Sequence, residues 1–300
     1  MLARLQKLIT FLLLTAALIW AGHFFRAGQP LLGTIGALLI VLGYAGLLAI
    51  EFVLLYFVHG RESSFRPQGR QLLRAWWDEV ICTPQVFAWR QPFRSNVETD
   101  NLQCGPQRQP GVVLVHGLLC NRGFWNPWMR ALRARQVPFI AVNLEPVFGS
   151  IDHYPSIIDA AVARLEAATG LPVVLVGHSM GGLAIRAWLA RFAGDSRMHR
   201  AITIGSPHQG TWLANYSAAT NATQMRLHSP WLARLAEQET AARRARFTCF
   251  FGHCDNIVMP IDTATLPDAQ NVHVPATAHV QMAFRPMVFD EVCHWLRADR

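Results

Sequence analysis

One short segment of the sequence has the residue types and spacing of a nucleophile on a sharp turn. Residues 173–176 are four aliphatic residues, and Gly177-His178-Ser179-Met180-Gly181 follows them directly. The aliphatic run predicts a buried parallel strand. The glycines at 177 and 181 leave room for a serine that is held at a strained backbone angle between a strand and a helix. This context favours a nucleophilic Ser179 over a chance match to a five-residue pattern.

A serine hydroxyl is a weak nucleophile, so it needs a base to accept its proton and an acid to orient that base. Asp255 comes just after a predicted strand at residues 247–251, and His279 follows another at residues 271–274. Both residues come after the serine in the chain, acid first, and both lie near the carboxyl ends of strands. The sequence therefore predicts a triad of Ser179, His279 and Asp255.

Other acids and histidines in this region fit these roles less well. Asp262 and Asp268 lie farther from the strand end than Asp255 does. Three other histidines compete with His279, of which one lies in a predicted strand and one in a predicted helix; they are His253, His273 and His294. A structural role is the commoner one for a histidine inside such an element.

Attack on a carbonyl carbon develops negative charge on the oxygen, which requires backbone N–H donors already in place. The N–H of Met180, directly after the nucleophile, is one candidate. The second is the N–H of Leu118, in the loop after a predicted strand at residues 112–115, where Gly117 permits a close approach of the backbone. His116 is expected to support this loop and not to act as a base.

Strands and helices alternate from residue 111 onward. Predicted strands at 112–115, 139–142, 173–176, 200–204, 247–251 and 271–274 are separated by predicted helices at 125–135, 154–169 and 182–192, and a helix at 286–297 closes the chain. This alternation predicts an α/β fold with a mostly parallel, doubly wound sheet and helices on both faces. Residues 85–110 are expected to hold the first strands, and residues 212–245 a small cap inserted above the sheet.

Together these motifs resemble the bacterial triacylglycerol lipases and esterases of the α/β-hydrolase superfamily. The resemblance covers roughly residues 111–298 and rests on segments 113–117, 177–182 and 204–211, on Asp255 with Val258, and on His279. It implies hydrolysis of acyl esters through an acyl-enzyme, in which Ser179 attacks, His279 carries the proton and Asp255 orients His279. Some members bind structural calcium, but no full ligand set is matched here, and neither a metal nor a cofactor is expected.

Two N-terminal segments lie outside this resemblance, and the well-known lipases of the branch are secreted. Residues 8–25 and 31–50 contain no Asp, Glu, Lys or Arg, and each is near the ~20 residues that cross a bilayer. A cleaved signal peptide is the alternative, but the first run exceeds the usual ~7 to 15 apolar residues, and no cleavage site precedes the second run. We therefore expect a transmembrane hairpin in residues 1–60, with spans at about residues 8–25 and 31–50; the apolar run continues to residue 58, which suits either a longer, tilted second span or a turn into the interface.

The basic residues predict how the hairpin is oriented. Arg4 and Lys7 precede the first span, and four arginines follow the second at positions 61, 66, 70 and 74, whereas the link carries only Arg26. The positive-inside rule then places both ends, and the catalytic domain, on the cytoplasmic side of a bacterial inner membrane. Residues 61–84 form a basic juxtamembrane segment. Its helical pattern at residues 70–81 suits either the membrane surface or a cover on the sheet.

The net charge of +8 does not indicate a nucleic-acid partner. The juxtamembrane arginines account for much of it, and they suit anionic lipid headgroups, whereas no nucleic-acid-binding motif is present. The six cysteines are scattered without a CxxC pair, which favours free thiols on the cytoplasmic side. The oligomeric state is left open.

These observations lead to one functional expectation and two alternatives. The expected protein is a membrane-anchored serine hydrolase, whose catalytic domain at residues 85–300 cleaves hydrophobic acyl esters next to membrane lipids. The same triad also supports acyl transfer or thioester hydrolysis. A non-catalytic membrane scaffold with a hydrolase-like domain is the alternative from another class, because a fold alone does not prove a function.

Overall fold

Two long helices form the N-terminal hairpin in a computed structural model, which describes residues 1–58 and 66–297. These are α1 (Leu2–Arg26) and α2 (Pro30–Val58). Between them Gly28 has a φ of 71°, a left-handed conformation that glycine adopts without strain. Pro30 begins α2, where its missing N–H is no loss. Both helices are long and apolar enough to cross a membrane, and little of either is buried within the protein.

The basic juxtamembrane segment predicted for residues 61–84 begins outside the described residues, which resume at residue 66. Its helix, α3 (Gly69–Pro84), packs against α2 and against a short helix at residues 279–282. Ala75 and Glu79 are buried in these contacts, while Leu73, Trp77 and Ile81 lie on an exposed face. The helix thus covers the region of His279. Its sequence pattern had left two other arrangements open, one on the membrane surface and one as a cover on the sheet.

The prediction that residues 85–110 hold the first strands is wrong. Gln85–Arg90 forms a π-helix and Gln91–Arg94 a short helix, α4. Within the described residues, the β-bridge that links this segment to the sheet is the isolated antiparallel pair of Asn101 and Phe139. The fully buried Gln91 side chain accepts a hydrogen bond from the backbone N–H of Asn121 at 2.9 Å. Contacts to distant residues therefore decide its conformation, and a local sequence pattern does not report them.

The rest of the chain builds a parallel sheet covered by helices. The strands are β1 (Val112–Val115), β2 (Phe139–Ala141), β3 (Val173–His178), β4 (Met198–Ile204), β5 (Phe247–Phe251) and β6 (Gln270–His273). The helices are α5 (Asn126–Ala134), α6 (Pro155–Thr169), α7 (Met180–Phe192), α8 (Thr220–Gln224), α9 (Pro230–Glu237), α10 (Ala241–Arg244), α11 (His279–Met282) and α12 (Pro286–Trp295). All six predicted strands are present, with bounds that agree to within two residues.

The strand order is β2-β1-β3-β4-β5-β6, and every pair in the described sheet is parallel. Because side chains alternate along a strand, Val113 and Leu175 face α6 and α7, whereas Val112 and Val174 face α5 and α12. Both faces are apolar, so the central strands are continuous aliphatic runs in the sequence. The α/β fold with a mostly parallel sheet and helices on both faces, which the alternating pattern predicted, is confirmed.

The insertion between β4 and β5 carries a 3-10 turn at Trp212–Tyr216 and then α8, α9 and α10. A buried ion pair joins it to α7. Arg186 Nε lies 2.7 Å from Glu239 Oε1, and both side chains are 2% exposed. Since neither charge reaches water, each depends on the other for its neutralisation.

Replacing Glu239 with alanine leaves the Arg186 guanidinium buried without a counter-charge. We expect Glu239→Ala to lower the free energy of unfolding by roughly 3–5 kcal/mol, as measured by denaturant unfolding of the full-length protein in detergent. Glu237, an exposed carboxylate in the same insertion, provides the control, and its alanine variant is expected to change stability by less than about 0.5 kcal/mol. Equal effects of the two substitutions would contradict this assignment.

Candidate active site

Ser179 stands on a sharp turn between β3 and α7. Its φ of 55° and ψ of −128° lie where non-glycine residues are strained. Its N–H donates to the carbonyl oxygen of Ile204 at 2.9 Å, which holds the strained turn against β4. A side chain at Gly177 would meet Gly182 N at 2.7 Å, and one at Gly181 would meet Val115 O at 2.3 Å. The turn therefore requires both glycines, and it sets Ser179 at the carboxyl edge of the sheet.

Asp255 and His279 lie on the loops after β5 and β6, and the fold brings them into contact. His279 Nδ1 is 3.0 Å from each carboxylate oxygen of Asp255, and both residues are buried. Asp255 Oδ1 also accepts the backbone N–H groups of Ile257 and Val258, both at 2.9 Å. Because a carboxylate accepts the hydrogen bond, Nδ1 carries the proton and Nε2 is left as the basic nitrogen.

The backbone of His279 is held at both its N–H and its carbonyl. The N–H donates to Asn256 Oδ1 at 3.2 Å, and the carbonyl oxygen accepts from His178 Nε2 at 3.1 Å. His178 is stacked on Phe124, and burial holds its pKa well below 6.5. As a neutral donor directly before Ser179 in the chain, His178 supports the loop of His279, a role that its place in the turn motif did not specify.

The loop after β1 runs against Ser179. A side chain at Gly117 would lie 2.8 Å from Ser179 Cβ. His116 Nδ1 donates to the Gly117 carbonyl at 2.9 Å, and His116 Nε2 accepts from Leu144 N–H at 3.0 Å. Burial lowers the pKa of His116 to about 4, so the ring is neutral at neutral pH. Its contacts are those of a residue that shapes the loop.

The two backbone amides predicted to bind an oxyanion are those of Leu118 and Met180. Within residues 1–58 and 66–297, neither N–H donates a hydrogen bond to a protein acceptor. Met180 begins α7, where the first amides have no partner in their own helix and where the helix dipole favours negative charge. Both donors are therefore available to a bound group at this edge of the sheet.

No hydrogen bond joins the Ser179 hydroxyl to His279 within the described part of the chain. The ring of His178, the residue next to Ser179, lies 4.7 Å from the ring of His279 between centroids. Hydrogen bonds between a nucleophile and its base are often long without substrate and tighten when it binds. The structure thus brings His279 and Asp255 into direct contact and sets Ser179 after β3, at the same carboxyl edge of the sheet.

The competing residues have other partners. Asp268 pairs with Arg244 at 2.7 Å, and Asp262 lies in the 3-10 turn Ile261–Ala264. His253 Nδ1 and His273 Nε2 are 2.7 Å apart, and His294 lies on α12 beside Trp295. Among the described residues, no group of three or more His, Cys, Asp and Glu side chains is arranged to hold a metal ion. All six cysteines are free thiols.

The environment of His279 favours its protonated form. Burial by itself lowers the pKa of His279, because it removes water from the imidazolium. The charge and hydrogen bond of Asp255 act in the opposite direction, with smaller contributions from Glu79 and Glu51, and the pKa ends above 6.5. An imidazole that gains a proton readily has the property that a general base needs.

Sequence reasoning missed three residues of this site. Gly205 has a φ of 53°, and a side chain there would lie 2.9 Å from Asp255 Oδ2. Asn256 holds the His279 N–H, and Glu79 accepts the N–H groups of Val280 and Gln281. The spacing of Leu72, Trp76 and Glu79 was a readable signal for Glu79, because it puts a carboxylate on the apolar face of a helix.

Comparisons with known proteins agree with the observed fold. A family model described as "Alpha/beta hydrolase family" matches residues 112–298. A lipase of Bacillus licheniformis in its mature form has a similar structure, with a TM-score of 0.56, 18% identity, and coverage of 65% of this chain and 94% of that chain. Lipase B of Aspergillus fumigatus has a TM-score of 0.54, 17% identity, and coverage of 60% and 51%. No curated protein matches the chain. At such identities, the two structures show the fold alone.

Replacing Asp255 with asparagine tests what sets the proton affinity of His279. Without the carboxylate, only Glu79 and Glu51 still oppose the effect of burial, so we expect the pKa of His279 to be lower in Asp255→Asn than in the wild type. An NMR titration of isotope-labelled histidine in the full-length protein measures this. Asp262→Asn, at an exposed position nearby, is expected to leave the pKa of His279 unchanged. An unchanged pKa in Asp255→Asn would contradict the pairing.

Proposed function

The chain belongs to the alpha/beta hydrolase family, and on that premise we propose that it is a membrane-anchored serine hydrolase that cleaves hydrophobic carboxylic acyl esters. The observation that carries the proposal is the contact of His279 Nδ1 with Asp255 at 3.0 Å, at the sheet edge where Ser179 stands on a strained strand-to-helix turn. No metal or cofactor is part of the proposed mechanism.

In the proposed reaction, Ser179 Oγ attacks the carbonyl carbon of the ester while His279 Nε2 takes the hydroxyl proton. The carbon–oxygen bond to the alcohol then breaks, and the imidazolium returns the proton to the departing alcohol oxygen. Water attacks the resulting acyl-enzyme, again giving a proton to Nε2, and the acid leaves as the proton returns to Ser179. Asp255 keeps the imidazole in the tautomer that this sequence of steps needs.

The negative charge on the carbonyl oxygen is stabilised by two backbone amides. Leu118 N–H and Met180 N–H have no protein acceptor within the described residues, so they are free to bind the oxyanion. Preorganised donors of this kind typically contribute about 10²–10³-fold each to kcat. Because both donors are main-chain groups, replacing the Leu118 or Met180 side chain is expected to lower kcat less than a displacement of the loop would.

The apolar nature of the substrate is inferred from the N-terminal helices. α1 and α2 expose aliphatic and aromatic side chains over much of their length, as helices in lipid do. Phe52 and Leu55 of α2 pack in one apolar cluster with Cys254 and Ala278, the neighbours of the acid and the base. A bilayer concentrates apolar esters. The proposed site lies beside the two helices that would cross the bilayer.

The proposed location is the cytoplasmic face of a bacterial inner membrane. Gln6, near the start of α1, donates to the carbonyl oxygen of Leu119 at 3.3 Å, and Glu51, near the end of α2, contacts Asn256. Both ends of the hairpin therefore lie at the catalytic domain, on the side of Arg4 and Lys7. The positive-inside rule assigns that side to the cytoplasm.

Replacing the nucleophile tests the proposed activity. We expect Ser179→Ala to lose labelling by a fluorophosphonate and to lower kcat for ester substrates by at least about 10⁴-fold, because no other group supplies the attacking oxygen. The measurement is turnover of p-nitrophenyl esters of increasing chain length by the full-length protein in detergent. Ser156→Ala, at an exposed serine on α6, is the control and should behave as the wild type.

Labelling and turnover that persist in Ser179→Ala would refute the proposal. Matched thioesters and alcohol acceptors, assayed with the wild type, separate ester hydrolysis from thioester cleavage and acyl transfer, since the same triad supports all three.

Reporter fusions test the proposed topology. A reporter that works only in the periplasm should be inactive when it is fused after Arg300 and active when it is inserted at Gly28, because the positive-inside rule places these two points on opposite sides of the membrane. A reporter that works only in the cytoplasm should give the reverse pattern. Periplasmic activity of the fusion after Arg300 would overturn the cytoplasmic location.

A further inference from the structure

A carboxylate outside the hydrolase fold binds the backbone that carries His279. Glu79 belongs to α3, which precedes the sheet by some distance in the chain, and its side chain is 1% exposed. Its two oxygens accept the N–H groups of Val280 and Gln281, at 2.9 and 3.0 Å. These are the two residues directly after His279 at the start of α11, so Glu79 satisfies amides that α11 itself leaves without partners.

A second carboxylate reaches the same backbone through an amide. Glu51, in the last part of α2, accepts a hydrogen bond from Asn256 Nδ2 at 2.6 Å. The other end of that amide, Asn256 Oδ1, accepts the N–H of His279 at 3.2 Å. The bond to Glu51 therefore fixes which way the amide faces, because its NH₂ group must point to Glu51 and its oxygen to His279.

We propose that Glu79 and Glu51 are positioning residues for His279, so that the N-terminal helices complete the active site in addition to anchoring it. The inference rests on the proposed function, in which His279 is the general base. Three consecutive backbone N–H groups, those of residues 279, 280 and 281, donate to side-chain oxygens. Glu79 of α3 accepts the last two, and Asn256, which is bonded to Glu51 of α2, accepts the first. The hydrolase fold contributes the remaining contacts, from Asp255 and His178.

The arrangement acts on catalysis and not on substrate binding. A general base must lie within hydrogen-bond reach of the serine proton, and misplacement by about 1 Å can cost about 10²-fold in rate. Losing the Glu79 contact frees two amides next to the imidazole but removes no group that would touch the substrate. The expected result is a lower kcat with an unchanged KM.

The charges around His279 make a positioning role of Glu79 distinguishable from a purely structural role. His279 is surrounded by the carboxylates of Asp255, Glu79 and Glu51 and by the neutral ring of His178. Burial raises the pKa of Glu79 itself to about 7, against the two N–H bonds that lower it. The titratable groups near Glu79 in the chain also include Asp78 and Cys82 on the same helix and Arg90 in the π-helix that follows. Removing the negative charge of Glu79 destabilises the imidazolium, so the acid limb of the activity profile moves to lower pH.

The test compares full-length variants in detergent, with turnover expressed per site labelled by the fluorophosphonate so that misfolded protein is not counted. We expect kcat to fall about tenfold in Glu79→Gln, which keeps one acceptor, and about 10²-fold in Glu79→Ala. Glu51→Ala is expected to lower kcat in the same direction. KM should stay within about twofold, and the acid limb should move to lower pH in both Glu79 variants.

Asp78→Asn is the matched control. Asp78 is the neighbouring carboxylate on α3 and bonds the Gln281 side chain at 3.0 Å, but it holds no backbone amide of α11. Its removal should leave kcat, KM and the pH profile close to those of the wild type. Variants of Glu79 and Glu51 with normal turnover per labelled site and an unmoved acid limb would overturn the proposal, even if they were less stable.

An NMR titration of His279 gives a readout that does not need turnover. The pKa of His279 should be lower in Glu79→Gln than in the wild type, and unchanged in Asp78→Asn. If the wild type hydrolyses no ester, the proposed function fails, and this titration still decides whether Glu79 acts on His279. If the wild type is active and the pKa of His279 does not move in Glu79→Gln, the positioning role fails by itself.

Discussion

The hydrogen bond between His279 Nδ1 and the Asp255 carboxylate is the interaction on which the rest of the site depends. It is buried, and it fixes the tautomer that leaves Nε2 basic. Its two partners lie on loops after different strands, so it forms only when β5 and β6 are in register in one sheet. Gly205, where a side chain would run into both partners, shows how closely the chain from β4 passes this pair.

The parallel sheet makes this arrangement possible because it gathers the carboxyl ends of its strands at one edge. The loop after β1 supplies Leu118, the turn after β3 supplies Ser179 and Met180, and the loops after β5 and β6 supply Asp255 and His279. Strain at Ser179 is held by its bond to Ile204 and by packing that only glycine permits at positions 177 and 181. Helices bury the sheet on both of its faces, so its edge is rigid and can hold the strained backbone of Ser179.

The N-terminal helices add a second set of constraints to this edge. Gln6 of α1 contacts the loop that contains Leu118, Glu51 of α2 contacts Asn256, and Glu79 of α3 binds the residues after His279. Each contact is a hydrogen bond made by a polar side chain of a helix: Gln6 donates, whereas Glu51 and Glu79 accept. Burying a polar group without a partner costs free energy, so these hydrogen bonds favour one position of the helices against the catalytic domain. The helices are therefore more than a flexible tether.

The sequence by itself determined the α/β architecture with a parallel sheet, because buried parallel strands and the helices between them leave a strong alternating pattern, and its motifs resembled those of α/β-hydrolases. It also pointed to Ser179, Asp255 and His279, because motif and chain order carry that information; the contact of Asp255 with His279 is now seen, while their catalytic roles remain a proposal. The tertiary structure alone decided that residues 85–110 contribute no strand of the sheet described here, and that Glu79, Glu51 and Asn256 converge on His279. Such contacts join residues some 200 positions apart, and no local periodicity reports which distant partner will satisfy a buried polar group.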